Sequence, residues 1–331
     1  CTPKACLNMH NEVSRQQVFS LKHQAVRDLA WSVWGPDFFS ADHTCIEKPS
    51  PFPLDWHWLQ ALDRQPEGLI HYLSAQNTRL LGTYFEALWQ FFLSHHPCIQ
   101  HYRFNVQVND EKRTLGEFDC LVIDQRGEVY HIELACKFYL QYYDQGNPLW
   151  IGPNCGDRLD IKYNKTYDKQ LPLLFSKLGW YCFQHVFSDY DLASDQTNQS
   201  SIHQLAIWRG MPFQQNQWLR GTDQELNAIN FKDTKDREKS SLWFIADKSF
   251  WLSPVVINQR EKLQDFTHIK QQIEQHFESK KFTLMLIELI YCPQQNHWQQ
   301  VQQYFITPPN WPYGKYSDSS LTPLRPCRPP L

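Results

Sequence analysis

Glycine is scarce in this sequence, and the short motifs of several large enzyme classes are absent. The 331 residues include 12 glycines, against 13 Trp, 15 Tyr and 21 Phe. This balance predicts a packed globular protein rather than a disordered chain. No P-loop, GxGxxG, HExxH or GxSxG pattern occurs. Nucleotide-triphosphate motors, Rossmann oxidoreductases, zincins and serine hydrolases are therefore disfavoured.

The sequence also lacks a strong net charge and a long apolar run. The formal net charge is −3, which argues against a generic basic nucleic-acid coat but leaves room for a local basic groove. No stretch approaches the roughly 18 apolar residues of a membrane-spanning helix, and no basic-then-apolar leader surrounds Cys1. Secretion and membrane spanning are disfavoured, so we expect a cytoplasmic protein with no membrane partner.

Paired cysteine motifs are missing too. The ten cysteines fall at positions 1, 6, 45, 98, 120, 136, 155, 182, 292 and 327, and none of them forms a CxxC pair. A zinc ribbon or a disulfide scaffold is therefore not expected. We interpret the cysteines as reduced thiols of a cytosolic protein.

The most informative stretch is 116–139, GEFDCLVIDQRGEVYHIELACKFY, which reads as two strands joined by a turn at 124–127. Side chains alternate between the two faces of a strand. One face of the second strand is an unbroken apolar row of Tyr130, Ile132, Leu134, Cys136 and Phe138. The other face carries His131, Glu133, Ala135 and Lys137.

The first strand of this pair places Asp119 in or beside the interior. Alternation puts three apolar residues on one side, Phe118, Cys120 and Val122, and a mixed set on the other, Glu117, Asp119, Leu121 and Ile123. A buried carboxylate is costly unless it is paired or bound to a metal ion. Asp119 and Glu133 on paired strands, with Lys137 further along one face, therefore predict a metal-dependent site.

The order of elements divides the chain into three parts. Residues 1–76 are predicted to form an N-terminal helical cap, and residues 77–215 an α/β core. Residues 216–331 are predicted to form a C-terminal α+β extension packed on that core. The core reads helix, strand, strand, strand, helix, strand.

Two helices flank the central strands and carry further candidate residues. The first, within 78–94, places Glu86 beside its apolar stripe, where it is either a partly exposed surface residue or a carboxylate leaning toward the site. The second, within 157–178, begins at an acidic cap and has a break near Pro172. Its Arg158, Lys162, Lys165 and Lys169 form a basic stripe, which is either a solvated face or a surface for a phosphate backbone.

The core pattern resembles the PD-(D/E)XK nuclease superfamily, with its restriction-endonuclease-like αβββαβ fold of a mixed sheet flanked by helices. More closely, the chain resembles the bacterial family catalogued as domain of unknown function 1853. The matching stretches are VRDLAW (26–31), LGTYFEALWQFFL (81–93), GEFDCLVI (116–123), HIELACKFYL (131–140), DRLDIKYNKTYDKQLPL (157–173) and DKSFWLSPV (247–255). The family resemblance covers most of the chain, and the superfamily resemblance covers about residues 77–210.

The superfamily resemblance implies roles for five residues. Asp119 and Glu133 would bind a divalent ion, Mg²⁺ (or Mn²⁺), and Lys137 would be the catalytic lysine. Glu86 would be an accessory acid, and Gln170 would line the site from the second helix. One departure is the spacing E-x-x-x-K in place of E-x-K, with Ala135 at the usual lysine position. Lys137 keeps the face of Glu133 but lies about 13 Å along the strand.

A site of this kind would hydrolyse phosphodiester bonds, and the resemblance implies that its partner is nucleic acid, with DNA as the expected substrate. A bound ion polarises the phosphate and activates a water, and a nearby lysine stabilises the developing charge. The alternative from another class is a catalytically degenerate module that binds nucleic acid or a protein partner without turnover. A structural alternative to the metal site is a buried carboxylate–lysine ion pair that only sets strand register. His131 could be a ligand or base, or a packed, hydrogen-bonded histidine.

Overall fold

The computed structural model describes residues 12–39, 50–190, 201–222, 224–227, 241–280 and 282–313. It confirms the mixed α/β class, with helices and two five-stranded sheets. The helices are α1 (Arg15–Ser20), α2 (Gln24–Trp34), α3 (Trp56–Arg64), α4 (Glu67–Ala75), α5 (Leu81–His95), α6 (Leu159–Lys165), α7 (Leu171–Leu173), α8 (Lys177–Val186) and α9 (Phe266–Ser279). The strands are β1 (Ile99–Asn109), β2 (Thr114–Asp124), β3 (Val129–Asp144), β4 (Asn147–Ile151), β5 (Ile202–Phe213), β6 (Trp218–Arg220), β7 (Leu242–Ala246), β8 (Val256–Ile257), β9 (Leu284–Cys292) and β10 (His297–Thr307).

The first sheet is built around β3, and two strands share one of its edges. β2 pairs antiparallel with residues 129–132 of β3, and β4 pairs with residues 140–144. β5 runs parallel to β3 along residues 129–140. Since residues 129–132 and residue 140 have partners on both sides, β2 and β4 must lie on the edge opposite β5. Among the described strands, none pairs with residues 133–139 on that edge, and this gap lies beside Glu133.

The β1–β2 hairpin changes face at Asn105, which corrects the predicted alternation of β2. Asn105 has φ of 51° and interrupts the ladder between the pairs Phe104–Cys120 and Val106–Phe118. Asparagine tolerates this left-handed conformation better than most residues. Beyond the kink, Phe118 packs with Leu121 and Ile123 under α8, whereas Cys120 and Val122 pack under α5. Phe118 therefore does not share a face with Cys120 and Val122, and Asp119 lies at the switch.

The apolar row predicted on β3 is confirmed. Tyr130, Ile132 and Leu134 are buried in the core under α2 and α5, and Phe138 is buried in the core shared with the second sheet. The opposite face is covered by α6, α7 and α8. These two helical layers bury His131 and Glu133 of β3, whereas Lys137 further along the strand remains about one third exposed.

The N-terminal helices and the C-terminal sheet meet at a buried carboxylate on α2. Asp28 is fully buried and accepts hydrogen bonds from Ser253 (2.6 Å), Tyr84 on α5 (2.9 Å) and Gln24 (3.0 Å). Burial raises the pKa of Asp28 to about 6, and the hydrogen bonds from Ser253 and Tyr84 oppose this rise. The second sheet also packs directly on the first, since Phe213 contacts Phe305 at 4.6 Å between ring centroids.

Gly210 of β5 lies against the backbone of β3 and supplies the first prediction. It has φ of +99°, and a Cβ there would lie 1.9 Å from the Lys137 carbonyl oxygen. Gly127 also has a positive φ, at +81°, but a Cβ there would have no other atom within 4 Å. We expect Gly210→Ala to lower the free energy of unfolding by about 1–3 kcal/mol more than Gly127→Ala, because overpacking adds to the shared backbone strain. Urea unfolding of both variants measures the difference, and equal losses would contradict the close approach.

The structure bears on two expectations from the sequence, the absence of a membrane-spanning helix and the presence of reduced cysteines. Among the described helices, none has both the length and the apolar character needed to cross a bilayer. The described cysteines are all free, at Cys98, Cys120, Cys136, Cys155, Cys182 and Cys292. The remaining cysteines, at positions 1, 6, 45 and 327, lie outside the described residues, as do the corresponding parts of the predicted N- and C-terminal regions.

Candidate functional site

Asp119 and Glu133 lie together where β2 and β3 part. The ladder between these strands ends at the pair Cys120–Ile132. Just beyond it, the Asp119 carboxylate accepts the backbone N–H of Leu134 at 2.8 Å. The carboxylate thus takes the place that a strand carbonyl would occupy. This contact is possible because the kink at Asn105 turns β2 at this point.

The two carboxyl groups are held in an environment that disfavours their charge. Burial raises the pKa of Asp119 to about 7, and repulsion from Glu133 adds to the rise. Burial likewise raises the pKa of Glu133 to about 7, against the pull of the Lys162 charge. A hydrogen bond between the two groups raises the pKa of Asp119 and lowers that of Glu133. The two carboxyl groups therefore titrate as a coupled pair, which holds a proton more readily than two separate exposed carboxyl groups would.

Glu133 is 2% exposed, and side chains from two elements hold it. One oxygen, Oε1, lies 3.1 Å from Nε2 of the neighbouring His131 on β3. The other, Oε2, accepts a short hydrogen bond from Nε2 of Gln170. Each carboxylate oxygen has a second lone pair, so these contacts fix the orientation of Glu133 and still leave coordination sites on both oxygens.

A buried polar chain fixes the tautomer of His131. Nε2 of Gln204, on β5, donates to the Leu171 carbonyl at 2.5 Å and lies 3.0 Å from Nδ1 of His131. An amide nitrogen can only donate, so Nδ1 accepts and Nε2–H donates to Glu133. His131 is fully buried, and burial lowers its pKa to about 4. The structure thus confirms the interpretation of His131 as a packed, hydrogen-bonded histidine.

A π-helical turn, Thr166–Gln170, brings Lys162 and Gln170 to the carboxylates. The Leu171 N–H bonds the Thr166 carbonyl, five residues back. Pro172 follows, and it has no N–H for an ordinary helical bond, which explains the wider turn before it. As a result Nζ of Lys162 donates to Oε1 of Gln170 at 3.2 Å, and the Thr166 hydroxyl donates to the same oxygen at 3.3 Å.

Two further glutamates face the pair from the side of α5 and the outer part of β2. Burial raises the pKa of Glu86, and the charges of Asp119 and then Glu117 raise it further. The charge of Lys162 acts in the opposite direction. Glu86 is partly exposed and lies near enough to Asp119 and Lys162 for their charges to act on its pKa, and its role as an accessory acid stays a prediction. Glu117 joins the same acidic group because the face switch turns it toward α5.

Lys137 has a different partner from the one that its strand position suggested. Its Nζ donates to Oδ2 of Asp157 at 2.6 Å, with both side chains about one third exposed. The lysine charge that acts on Asp119 and Glu133 is that of Lys162. Burial lowers the pKa of Lys162, and the two carboxylates raise it. The structure thus brings Lys162 rather than Lys137 to the carboxylate pair.

The four residues of the predicted basic stripe do not form one surface. Arg158 pairs with Asp160 at 2.6 Å, and both side chains are largely buried. Lys162 points to the carboxylates. Lys165 and Lys169 are exposed. Only these last two are free to meet a phosphate backbone without leaving an interior contact.

Sequence reasoning gave no site role to Glu117, Thr166 and Gln204, and it placed Lys162 on the wrong surface. A helical stripe groups residues three or four apart, whereas Lys162 and Gln170 meet at a separation of eight through the π turn. Pro172 is the sequence signal that could have indicated an irregular turn. Nothing in the strand pattern of β5 singles out Gln204, because its role depends on which strand lies beside β3.

The donor set fits a divalent ion with few protein ligands. Within the described ranges, no three side chains of His, Cys, Asp or Glu are grouped so that they could hold a metal ion. Asp119 and Glu133 remain as a carboxylate pair. Mg²⁺ is commonly bound by one or two carboxylates together with waters and substrate phosphates. The mutual repulsion within the pair is also the condition that a bound cation would relieve.

Comparison with known proteins supports the nearer of the two resemblances. No curated protein and no solved structure matches the chain, so the resemblance to the PD-(D/E)XK superfamily rests on residues and topology alone. A family model matches residues 27–307, which include α5, all of the first sheet and every site residue described above. The chain therefore belongs to the family described as domain of unknown function DUF1853.

Proposed function

We propose that this protein is a divalent-metal-dependent nuclease that hydrolyses phosphodiester bonds in DNA. The observation that carries the proposal is the buried pair Asp119 and Glu133, placed where two strands part and kept partly ionised by one lysine. A protein that needed these positions only for stability would be better served by apolar or neutral residues. Strongly perturbed carboxyl groups beside a specific charge partner are typical of functional sites.

The topology supports the same proposal. Along the chain, α5 is followed by β1, β2 and β3, then by α6 to α8, and then by β5 parallel to β3. This order agrees with the αβββαβ core of restriction-endonuclease-like proteins, with β4 as an addition. In that arrangement the carboxylates lie on the second and third strands and a further acid on the first helix, which are the positions of Asp119, Glu133 and Glu86.

Each residue of the site has a distinct task in this proposal. Asp119 and Glu133 would hold Mg²⁺ (or Mn²⁺) through hard oxygen atoms, and a bound ion supplies Lewis-acid polarisation of the phosphate and a more acidic water. Lys162 places a positive charge beside the reacting phosphate, where it stabilises negative charge that develops there. Gln170 and His131 keep the Glu133 carboxylate fixed in direction.

A basic surface for the substrate backbone is proposed at Lys165 and Lys169. Both are exposed and follow Lys162 on the same helical segment. Among the described residues, Lys162 is the positive charge that acts on the acidic group of Glu86, Asp119 and Glu133. An anionic substrate therefore needs further positive charge at the surface in order to approach this group. The exposed Lys165 and Lys169 supply positive charge that positions the phosphate backbone, and they do not contact the reacting atoms.

A catalytically degenerate module is the second candidate, and one observation favours it. Both oxygens of Glu133 already accept hydrogen bonds, and the residue is 2% exposed. Such a protein would bind nucleic acid or a protein partner through the lysine surface and would not cleave. Nucleic-acid binding that survives Glu133→Ala, with no metal-dependent cleavage by the parent, would favour this candidate.

Mn²⁺ binding tests the metal site without a choice of substrate. We expect the full chain to bind Mn²⁺, and Asp119→Ala and Glu133→Ala each to weaken binding by more than about 100-fold, since each removes a direct ligand. Titration calorimetry or paramagnetic resonance measures the affinity. Glu128→Ala is the matched control, because Glu128 is an exposed carboxylate on the turn of the same hairpin.

Equal, weak binding by all four proteins would contradict the proposed metal site. Because a substrate phosphate commonly completes the coordination of Mg²⁺, the titration is repeated with a short DNA oligonucleotide before that conclusion is drawn. Binding that appears only with the oligonucleotide, and disappears in both site variants, supports the proposal.

A further inference from the structure

Lys137 and Asp157 join the strand that carries Glu133 to the segment that leads into α6. Lys137 lies four residues after Glu133 on β3, and its Nζ donates to Oδ2 of Asp157 at 2.6 Å. Asp157 directly precedes Arg158, which occupies the N-cap position of α6. The ion pair therefore connects the floor of the site to the start of the helix that supplies Lys162.

The strand end of this connection is held rigidly. Gly210 of β5 pairs with Lys137, and a Cβ at Gly210 would lie 1.9 Å from the Lys137 carbonyl oxygen. The backbones of the two strands are thus in close contact at this position. The backbone from which the Lys137 side chain starts is therefore fixed, and only the rotamers of that side chain have to be ordered for the ion pair.

Asp157, the partner on the side of α6, is also held in place, but by fewer contacts. The Asp157 carbonyl accepts the Gly152 N–H at 2.9 Å, and Leu159 is buried beside Ala135 of β3. From there the helix needs only one turn to reach Lys162, whose Nζ bonds Gln170 and faces the carboxylates. A small rotation of the first turn would move that Nζ out of the site.

We propose that the Lys137–Asp157 ion pair is a positioning element that fixes the first turn of α6 and so holds Lys162 beside Asp119 and Glu133. Lys137 acts through Lys162 and does not contact the reacting atoms. The role of this ion pair in catalysis rests on the proposed function. Its test does not, because the test measures the stability of the metal-free protein. A partly exposed ion pair of this kind contributes little to stability by itself. The test therefore measures whether a change at Asp157 alters the effect of a change at Lys162.

A double-mutant cycle on the full chain tests this positioning. Lys162→Met and Asp157→Asn are made singly and together, and the urea midpoint of each metal-free protein is measured. Asp157 and Lys162 share no hydrogen-bond partner among the described contacts, and the charge of Lys137, which lowers the pKa of Lys162, is present in all four proteins of the cycle. Effects that do not depend on the position of α6 should therefore add. We expect the midpoint shift caused by Lys162→Met in the parent to be largely absent in the Asp157→Asn background.

The controls separate positioning from general loosening of α6. Lys165→Met changes an exposed lysine of the same helix and should give the same shift in both backgrounds. In a Lys137→Arg background, which retains the ion pair with Asp157, Lys162→Met should shift the urea midpoint as it does in the parent. In a Lys137→Met background, which removes the ion pair, this shift should be largely absent. Equal shifts for Lys162→Met in parent and Asp157→Asn proteins, or no shift in either, would overturn the inference. Neither result depends on whether the protein binds Mn²⁺ or cleaves DNA.

Discussion

Asp119→Asn is expected to raise the free energy of unfolding of the metal-free protein at pH 8 by about 2–4 kcal/mol. The pKa of Asp119 is about 7 in the folded chain, against an ordinary value of 3.8. The folded state therefore binds more protons than the unfolded state between these values. Stability falls as the pH rises through this window, and the full penalty is present above pH 7.

Asparagine suits this position because it imitates the protonated acid. Its oxygen can accept the Leu134 N–H, and its NH₂ group can donate to Glu133. We expect the gain in the free energy of unfolding over the parent to shrink toward zero below about pH 4, where Asp119 is protonated in both the folded and the unfolded protein. Urea unfolding at pH 4, 6 and 8 measures the trend. The same variant should lose Mn²⁺ binding, so stability and function would change in opposite directions.

Asp110 is the matched control for this substitution. It is a partly exposed aspartate on the β1–β2 turn, and hydrogen bonds from the backbone N–H groups of Lys112 and Arg113 lower its pKa. Its charged form is thus favoured by folding, and Asp110→Asn should give a small loss at pH 8 instead of a gain. A loss of stability for Asp119→Asn at pH 8 as large as at pH 4 would contradict the unfavourable environment proposed for the Asp119 carboxylate.

Lys162→Met is expected to reduce the rate of DNA cleavage by about 10²–10³-fold, the usual effect of removing one charged group that stabilises the transition state. Methionine keeps the length of the side chain and removes the charge. Mn²⁺ binding should be retained or strengthened, because the lysine charge no longer opposes the cation. Single-turnover cleavage at saturating enzyme and Mg²⁺ measures the chemical step.

Lys165→Met serves as the comparison in the same helix. Lys165 is exposed and is proposed to contact the phosphate backbone, so its loss should weaken DNA binding and reduce the salt dependence of binding. The single-turnover rate at saturation should change little. If Lys162→Met cleaves at the parent rate while Lys165→Met does not, the assignment of the two lysines is reversed.

The central strands were predictable because their constraints are local. Alternation along β3 identifies its apolar row and places Glu133 on the opposite face, and Asp119 stands out because a charge interrupts an apolar strand. These features follow from a period of two residues and from the cost of burying charge. The mixed α/β class and the carboxylate pair could therefore be predicted before the structure was known.

Other parts of the site depend on backbone irregularities that side-chain periodicity does not reveal. The left-handed Asn105 lies in β1, yet its effect is on β2, where it separates Phe118 from Cys120 and turns Asp119 toward β3. The π turn before Pro172 has a similar effect on the helix. It brings together Lys162 and Gln170, which an ordinary helical wheel assigns to separate interactions.

The hydrogen bonds of the buried Asp28 affect which parts of the chain can be exchanged during evolution. The carboxylate on α2 is satisfied by Tyr84 from the central region and by Ser253 from the C-terminal region. A genetic exchange that moved the central sheet alone would strand that acid in an apolar interior and uncover Phe213, which packs on Phe305. We therefore expect the flanking segments to be inherited together with the first sheet rather than exchanged as separate modules.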